Sequence, residues 1–278
     1  VAELGSAFFD GRYNIGYWFW ELSSFPAEWR DRFAIFHEIW VASAHVQTTI
    51  AAVSPIPVVH VRPHLDAGPV ARLPRSTWGL PDDRFVFLYI FDILNGCERK
   101  NPYGLLEAYR QAFGPSFRES VLVLKVNNLG RLPDERERLL REAQRVGAII
   151  LDRYLSRADL YALIQACDAY VSLHRAEGFG LTMAEAMLLQ KPVIGTAYSG
   201  NMDFMTPANS YLVKHRLVKI AQDYPPYRKG EVWAEPDLDH AASLMRYVCH
   251  HRAEAAVVGA QAAGDVKRMY SIEAAGAN

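Results

Sequence analysis

The sequence predicts an α/β protein built on a parallel sheet with helices on both faces. From Phe85 to about Val213, short apolar runs alternate with amphipathic runs of helical periodicity. This alternation favours a parallel sheet, since each crossover between parallel strands is usually made by a helix. A glycine-broken turn at Gly178 and Gly180 also separates one apolar run from a helix-forming one. Ligands of such sheets bind in this position, beyond the carboxyl ends of the strands.

The individual elements follow from β-branched and aromatic runs, helix caps and helix stops. Strands are predicted at 85–91, 121–126, 148–151, 169–173 and 192–195, and helices at 103–113, 134–146, 156–167 and 183–190. Asn101 offers an N-cap with Pro102 at the first helical position, and Ser156 starts another helix. Gly147 stops the charged helix before it.

The first seventy or so residues repeat this alternation on a smaller scale. Strands are predicted at 15–20, 38–42 and 55–61, with helical patterns at 27–36 and 44–53. A stretch rich in Pro, Gly and Arg then predicts a linker up to about Asp83. From Ala234 to the C-terminus the pattern is helical.

Composition excludes several classes of protein. The 278 residues are 50% hydrophobic and 22% charged, typical of one large or two modest globular domains. The net charge of -1 and the lack of a basic run argue against nucleic acid as a partner. We find no run long enough to span a bilayer and no signal peptide.

The three cysteines, Cys97, Cys167 and Cys249, are odd in number and far apart. They indicate neither a disulfide framework nor a metal site, so a reducing, cytoplasmic location is predicted. The chain opens on Val1 rather than Met, which indicates a piece of a longer polypeptide.

The most informative stretch is the turn bracketed by Glu177 and Glu185, eight residues apart. Amides that open a helix attract an anion, and Gly178 and Gly180 let a ligand approach the backbone. A carboxylate on each side suits hydroxyl groups that flank a phosphate, as in a nucleotide sugar. Two plainer interpretations stay open: Thr182 and Glu185 fit a capping box, and Glu177 could be a solvated loop carboxylate.

This stretch closely resembles the E-x7-E signature of the retaining GT-B glycosyltransferases of the group 1, GT4-type family. The resemblance implies two Rossmann-like domains facing a cleft, of which the first is incomplete in this chain. Residues 1–72 would be the C-terminal portion of an acceptor-side domain, and residues 73–84 would be a linker. Residues 85–230 would bind the donor, and 231–278 would be a helical tail packing back toward the domain junction.

The resemblance also implies an activity, namely transfer of a hexose from a nucleoside diphosphate sugar with retention of configuration. The acceptor would be a hydroxyl of a saccharide or of a lipid-linked molecule. The sequence shows no cluster with the spacing typical of metal ligands, and by the same resemblance the transfer needs no metal or other cofactor. Peripheral contact with a membrane stays open, although no transmembrane segment is predicted.

By this resemblance Glu177 supports charge at the anomeric carbon, and Lys100 binds the leaving phosphate; both are predicted to be catalytic. The donor would further contact Gly178, Phe179, Gly180, Leu181, Thr182 and Glu185, the last through the ribose hydroxyls. A helix terminus contributes only about 0.3–2 kcal/mol to anion binding, so a cationic side chain is expected as well. For Lys100 the alternative is an exposed loop lysine, and for Thr182 a simple N-cap.

The chain departs from the family where an arginine usually stands about six residues before the lysine. Arg99 or Asn95 could replace that arginine, and Lys125 is a weaker cationic candidate. His174 could bond a sugar hydroxyl or be a buried structural histidine. Gly200 and Asn201 fall in the loop that faces the donor sugar, followed by Asp203 in place of a glutamate. Tyr154 and Leu155 would lie near the base without identifying it.

On the acceptor side, Trp20 and Glu21 stand where many relatives carry a histidine. They could line the acceptor pocket or be core and cap residues. Three other functions stay open for the chain: a nucleotide-sugar-binding module without turnover, a scaffold without nucleotide affinity, and a dinucleotide-dependent oxidoreductase. The last is disfavoured because no G-x-G-x-x-G follows the first strand of either half.

Overall fold

The computed structural model describes residues 5–114 and 118–276. Residues 1–4 and 277–278, at the ends of the predicted first segment and tail, lie outside the described residues. The strands are β1 (Ile15–Trp18), β2 (Glu38–Val41), β3 (Val58–His60), β4 (Phe85–Asp92), β5 (Ser120–Asn127), β6 (Ile149–Leu151), β7 (Ala169–Ser172), β8 (Val193–Thr196), β9 (Tyr211–Val213), β10 (His215–Lys219) and β11 (Val232–Pro236).

Helices cover the remaining regular parts of the chain. The α-helices are α1 (Ala44–Ala51), α2 (Cys97–Lys100), α3 (Pro102–Phe113), α4 (Pro133–Arg145), α5 (Arg157–Ala166), α6 (Leu181–Leu188), α7 (Leu238–His250), α8 (Arg252–Tyr270) and α9 (Ile272–Gly276). Short 3-10 helices lie at Ser6–Phe8, Ala27–Ile35, Arg75–Trp78, Ile93–Asn95, Leu129–Arg131 and Gly200–Asp203. None of the helices in the described part of the chain is long and apolar enough to cross a bilayer.

The large sheet has six parallel strands in the order β6-β5-β4-β7-β8-β9. The first three strands run outward from β4 to one edge, and the last three run outward from β7 to the other. The strand order therefore reverses between β4 and β7, which is where open α/β sheets form their ligand crevice. The predicted α/β fold class is confirmed, and the loops after β4 and β7 flank that crevice.

Two predicted helix starts are confirmed in detail. The Asn101 side chain accepts a hydrogen bond from the Gly104 amide, with Pro102 in the first turn of α3. The Ser156 hydroxyl accepts from the Asp159 amide and caps α5. These caps satisfy amides that a helix leaves unpaired, and the residues that make them are local in sequence.

The first unit is a smaller parallel sheet, β1-β2-β3, and helix α1 forms the crossover from β2 to β3. Ser43 caps α1 by accepting from the Val46 amide. The helical pattern predicted at 27–36 is confirmed as a helix, but of the 3-10 type, over Ala27–Ile35. Pro26 precedes it without a side-chain cap, and only Phe33 of its residues is buried, so little packing holds an α-helix there.

The antiparallel hairpin β10–β11 was not predicted. The helical tail was expected to begin at Ala234, but Ala234 lies in β11, and α7 starts only at Leu238. Side chains of the hairpin, among them Tyr227 and Trp233, join the core of the first unit with Trp20. This hairpin thus fastens the first unit to the large sheet.

Candidate functional site

Glu177 and Lys100 meet in a buried ion pair at the crevice of the large sheet. Lys100 lies in the connection after β4 and Glu177 in the one after β7. The Lys100 Nζ is 2.5 Å from Glu177 Oε1, and the two side chains are 17% and 13% exposed. The interpretations of Glu177 as a solvated loop carboxylate and of Lys100 as an exposed loop lysine are therefore wrong.

The charge of Glu177 is set by its cationic neighbours. Burial alone would raise the pKa of this carboxyl, but Lys100 and Arg99 outweigh burial and lower the pKa to about 2. Arg99 contributes through a Nη1 to Oε2 distance of 3.4 Å. Burial lowers the pKa of Lys100, against the opposing effect of Glu177. Glu177 is thus an ionised carboxylate at neutral pH, held beside a desolvated amine.

The turn after Glu177 leads directly into helix α6. Gly180 is the N-cap, at a φ of 91°, a left-handed conformation that favours glycine. The amides of Met183 and Ala184 both donate to the Gly180 carbonyl, at 3.0 and 3.1 Å. The earlier amides, those of Leu181 and Thr182, lie in the first turn, where a helix leaves its amides without internal acceptors. This start of α6 is the predicted anion-binding geometry.

The capping-box interpretation of Thr182 and Glu185 is wrong, as is that of Thr182 as an N-cap. Since Gly180 is the N-cap, Thr182 is already inside the helix. Its Oγ1 lies 2.7 Å from the hydroxyl oxygen of Tyr170. Glu185 does not return to the helix start, because its Oε1 accepts from the Tyr161 hydroxyl at 3.0 Å.

Glu185 lies on α6 at 6% exposure, and burial raises its pKa. Arg157 donates to the same Tyr161 hydroxyl oxygen, from Nε at 3.0 Å and from Nη2 at 2.8 Å. No hydrogen bond to Glu185 Oε2 is present within the described part of the chain, so this oxygen can accept from a ligand hydroxyl. Tyr161 and Arg157 were not predicted as site residues, since nothing in the pattern of α5 relates it to Glu185.

Several predicted donor contacts lie in the turn itself or beside it. The Gly178 carbonyl already accepts from the Ser43 hydroxyl of the first unit at 2.5 Å. Phe179 is buried against the rings of Phe204 and Tyr270. Leu181, by contrast, is 50% exposed at the start of α6. Side-chain contact with a donor is therefore open to Leu181, and Phe179 can offer only its main chain.

Arg99 does not replace the missing arginine as a phosphate ligand. Its side chain is nearly fully buried, and Nη1 donates to the Ala176 carbonyl at 2.8 Å. Nη2 donates to the Asn95 carbonyl at 2.9 Å and lies 3.6 Å from Glu21 Oε1. Burial acts to lower the pKa of Arg99, but Glu177 and Glu21 outweigh it and raise the pKa. Asn95 is exposed at the end of a 3-10 helix, and its predicted donor contact stays a prediction.

His174 is a buried structural histidine, one of the two interpretations that the sequence left open, and the donor contact predicted for Asn201 stays a prediction. His174 is fully buried, with Nδ1 bonded to Ser172 Oγ at 3.0 Å and Nε2 to Asn201 Oδ1 at 3.0 Å. Burial lowers the pKa of His174. The Asn201 amide nitrogen donates to the Thr196 carbonyl at 2.9 Å. The preceding residue, Gly200, donates from its main-chain amide to the Glu177 carbonyl at 2.9 Å.

Lys125, the weaker cationic candidate, has its amine occupied by protein partners, and its contact with a donor stays a prediction. Lys125 lies inside β5 at 1% exposure, and its amine bonds to the side-chain oxygen of Asn127 and to the Val126 carbonyl. Tyr154 and Leu155 follow β6, so they lie beyond the carboxyl ends of the strands, as Lys100 does after β4. Tyr154 is 91% exposed, and contact of either residue with a base stays a prediction.

The first unit places Trp20 and Glu21 in different surroundings. Trp20 is core, at 2% exposure with its indole N–H donating to the Ser24 carbonyl. Glu21 accepts from the Tyr227 hydroxyl at 2.9 Å and faces Arg99. Asp203 accepts from the Ala44 amide at 2.9 Å, at the N-terminus of α1. Trp20 is thus a core residue, one of the two interpretations that the sequence left open, and contact of Glu21 with an acceptor stays a prediction.

A metal site is not formed by the described residues, since no three His, Cys, Asp or Glu side chains among them are grouped to hold an ion. Independence from metal remains a prediction.

The sequence matches the family described as Glycosyl transferases group 1 over residues 75–222, more than half of the chain. No curated protein matches it. Among solved structures, Anabaena HepE in complex with UDP and glucose is similar, with a TM-score of 0.70 and 17% identity. That likeness covers 95% of this chain and 69% of HepE.

Two further structures share the fold. Sucrose-phosphate synthase from Thermosynechococcus elongatus has a TM-score of 0.68 and 20% identity, covering 88% of this chain and 57% of the synthase. TarM from S. aureus, in a complex that includes UDP, has a TM-score of 0.66 and 11% identity, covering 95% of this chain and 48% of TarM. The chain therefore spans about half the length of these two proteins. Together the likenesses confirm the predicted GT-B fold.

Proposed function

Because the chain belongs to the group 1 glycosyl transferases, we propose that it binds a nucleoside diphosphate sugar at the start of α6 and transfers a hexose. The transfer is of the retaining, GT4-type kind, and the acceptor is a hydroxyl of a saccharide or of a lipid-linked molecule. It takes place in the cytoplasm, in polysaccharide biosynthesis, and without a metal.

The observation that carries this proposal is the Glu177–Lys100 pair beside the first turn of α6. Breaking the bond between sugar and diphosphate makes the leaving phosphate more negative. A cation and helix amides fixed at that place stabilise the transition state more than the ground state. A helix terminus alone contributes about 0.3–2 kcal/mol, so Lys100 supplies the stronger attraction.

The reaction proposed is a front-face displacement at the anomeric carbon. The bond between that carbon and the diphosphate oxygen breaks, and the electron pair leaves with the diphosphate. The acceptor oxygen forms the new bond on the same face, and its proton passes to the departing phosphate. Ionised Glu177 supports the positive charge that develops on the sugar, and Lys100 neutralises the leaving group.

Glu185 fits the recognition of the nucleoside half of the donor. Its Oε1 is held by Tyr161, and Oε2 can accept from a ribose hydroxyl. A carboxylate that accepts a hydroxyl discriminates well, because loss of a hydrogen bond to a charged group costs about 1.5–3 kcal/mol. We infer no base from these contacts.

Calorimetry with UDP, GDP and UDP-glucose tests donor binding, and release of UDP in the presence of candidate saccharides tests turnover. Glu177→Gln should reduce transfer by about 10²–10³-fold, the range found when one transition-state contact is removed. Glu142→Gln, on the exposed side of α4, is the matched control and should not change it. Equal turnover of the Glu177→Gln variant and the unaltered protein would reject the role of Glu177.

A second candidate is a module that binds a nucleotide sugar without turning it over. It is favoured by the internal use of Arg99, which leaves one cationic side chain, Lys100, for the diphosphate where the family usually has two. The same calorimetry and transfer assay separate the two functions. Donor binding without turnover for any acceptor supports the module, and absence of all nucleotide affinity rejects both.

A further inference from the structure

Four side chains of alternating charge connect the first unit with the crevice of the large sheet. Glu21 Oε1 lies 3.6 Å from Arg99 Nη2, and Arg99 Nη1 lies 3.4 Å from Glu177 Oε2. Glu177 Oε1 in turn meets the Lys100 amine at 2.5 Å. We call these four residues the charge chain. Its two anions and two cations balance, although three of its members come from the large sheet and one from the first unit.

Arg99 is the member whose placement depends most on its neighbours. Its Nε has no hydrogen-bond acceptor among the described residues, although the atom is buried. Two carbonyls fix the guanidinium nitrogens, and the Tyr227 ring lies 5.8 Å from its carbon atom. The balance between Glu21 and Glu177 then decides how far the guanidinium leans toward each carboxylate.

Glu21 is held from outside the large sheet. Tyr227, in the loop of the β10–β11 hairpin, donates its hydroxyl to Glu21 Oε2 at 2.9 Å. The ring of His45, on α1, bonds the Glu21 carbonyl at 2.8 Å. The neighbouring Trp20 is buried in the core that the hairpin shares with the first unit. This fixed carboxylate can therefore anchor Arg99.

We propose that Glu21 is a positioning residue for the reaction centre. It holds the Arg99 guanidinium where this group contacts Glu177 without displacing Lys100 from Glu177. The inference rests on the proposed function, because it assigns Glu21 a task in presenting Glu177 to the donor sugar. No direct contact between Glu21 and a donor is required. The first unit thereby acts on the donor half of the site through one buried arginine.

Removal of the Glu21 charge has a defined consequence. Arg99 keeps one carboxylate partner, Glu177, and competes with Lys100 for it. Burial lowers the pKa of Lys100, while Glu177 and Glu21 raise it and Arg99 lowers it. His174, which follows β7, also acts to lower the pKa of Glu177. Loss of Glu21 should lower the Lys100 pKa further and increase the fraction of neutral amine at a given pH.

Labelling of lysines with acetic anhydride between pH 7 and 11, read by mass spectrometry, measures this effect in the protein alone. In the Glu21→Gln variant, the reagent should label Lys100 at least about threefold faster at neutral pH than in the unaltered protein, as expected for a lost charge in a site of intermediate dielectric. Glu231→Gln is the matched control, since Glu231 also joins the hairpin to the first unit, through Ser24. That variant should leave the Lys100 profile unchanged.

Lys125 serves as an internal reference in the same experiment, because it is 1% exposed and its amine bonds Val126 and Asn127, which are not members of the charge chain. If Glu21→Gln accelerates the labelling of Lys100 and Lys125 equally, Glu21 merely stabilises the fold and the proposal is overturned. An unchanged Lys100 profile in Glu21→Gln overturns it too.

Calorimetry with UDP and UDP-glucose supplies the second arm. Since Glu177 is assigned to the sugar, Glu21→Gln should weaken UDP-glucose about tenfold more than UDP, within the range for a perturbed charged hydrogen bond. Equal weakening of both ligands contradicts the positioning role. If the unaltered protein binds neither ligand nor GDP, the proposed function fails, while the lysine labelling still decides the role of Glu21.

Discussion

Replacing Gly200 by Ala should force the turn that carries Glu177 out of place. A Cβ at this position would lie 2.2 Å from the Gly178 carbonyl oxygen and 2.8 Å from the Phe179 Cα. These are main-chain atoms, so no side-chain rotation can relieve the contacts. The Gly200 amide also donates to the Glu177 carbonyl at 2.9 Å, and that hydrogen bond would stretch as the two segments separate.

The magnitude follows from these two effects. Overpacking of a well-packed site costs about 1–3 kcal/mol, and loss of one main-chain hydrogen bond about 0.5–1.5 kcal/mol. Gly200→Ala should therefore lose about 1.5–4.5 kcal/mol of unfolding free energy. For a protein with a stability of about 5–15 kcal/mol that is a large fraction, but the variant should still fold.

Urea unfolding followed by circular dichroism measures the loss, and UDP calorimetry measures its effect on the site. Gly264→Ala is the control, because a Cβ at this exposed position of α8 meets nothing within 4 Å. Alanine in a helix interior is favoured over glycine by about 0.5–1 kcal/mol, so this variant should gain stability. The reasoning is refuted if Gly200→Ala unfolds within about 0.5 kcal/mol of the unaltered protein, or if Gly264→Ala loses as much.

Three further predictions concern the ion pair, the helix packing and Glu185. The pKa of Glu177 is lowered from 4.5 to about 2, so its stabilisation is present above about pH 4.5 and lost as pH falls through 2. In urea unfolding, the unfolding free energy of the unaltered protein minus that of Glu177→Gln should fall by on the order of 3 kcal/mol across that pH window. A difference that stays constant from pH 4.5 to pH 2 would contradict this. Gly259→Ala should lower the melting temperature although Gly264→Ala raises it, because its Cβ would lie 2.4 Å from the Gln190 carbonyl oxygen; an increase for both would exclude the close contact. Tyr161→Phe removes a hydrogen bond that lowers the pKa of Glu185, so the carboxyl titration seen by ¹³C NMR should move to higher pH, and an unmoved midpoint would count against that bond.

Local signals in the sequence predicted much of the fold. The Asn101 and Ser156 caps and the apolar runs of the large sheet are decided by residues adjacent in the chain. A cap needs one side chain and an amide two or three residues on, so it can be recognised without tertiary contacts. The same holds for the Gly180 bend, although α6 begins two residues before the predicted start because the glycine itself is the cap.

The misses share a different physical cause. The hairpin β10–β11 is stabilised by packing against aromatic residues of the first unit, some two hundred residues earlier. The environments of His174 and Arg99 are likewise fixed by segments remote in sequence, which supply partners that occupy their polar atoms. A motif indicates which residue types gather at a site, whereas the free or occupied state of each side chain depends on contacts that no local pattern contains.

The geometry of the crevice depends on both units, and the E-x7-E stretch alone does not determine it. The Ser43 hydroxyl bonds the Gly178 carbonyl, the Ala44 amide bonds Asp203, and Glu21 faces Arg99. Each of these contacts reaches a segment of the large sheet that touches the Glu177 turn. A substitution at such a contact should therefore alter donor affinity, although the residue does not touch the donor. A substitution whose contacts lie inside the first unit should leave donor affinity unchanged. Measuring UDP affinity for Ser43→Ala beside Gln47→Ala, one turn further along α1, separates these outcomes, because the Gln47 side chain donates to the Val58 carbonyl, which belongs to the first unit.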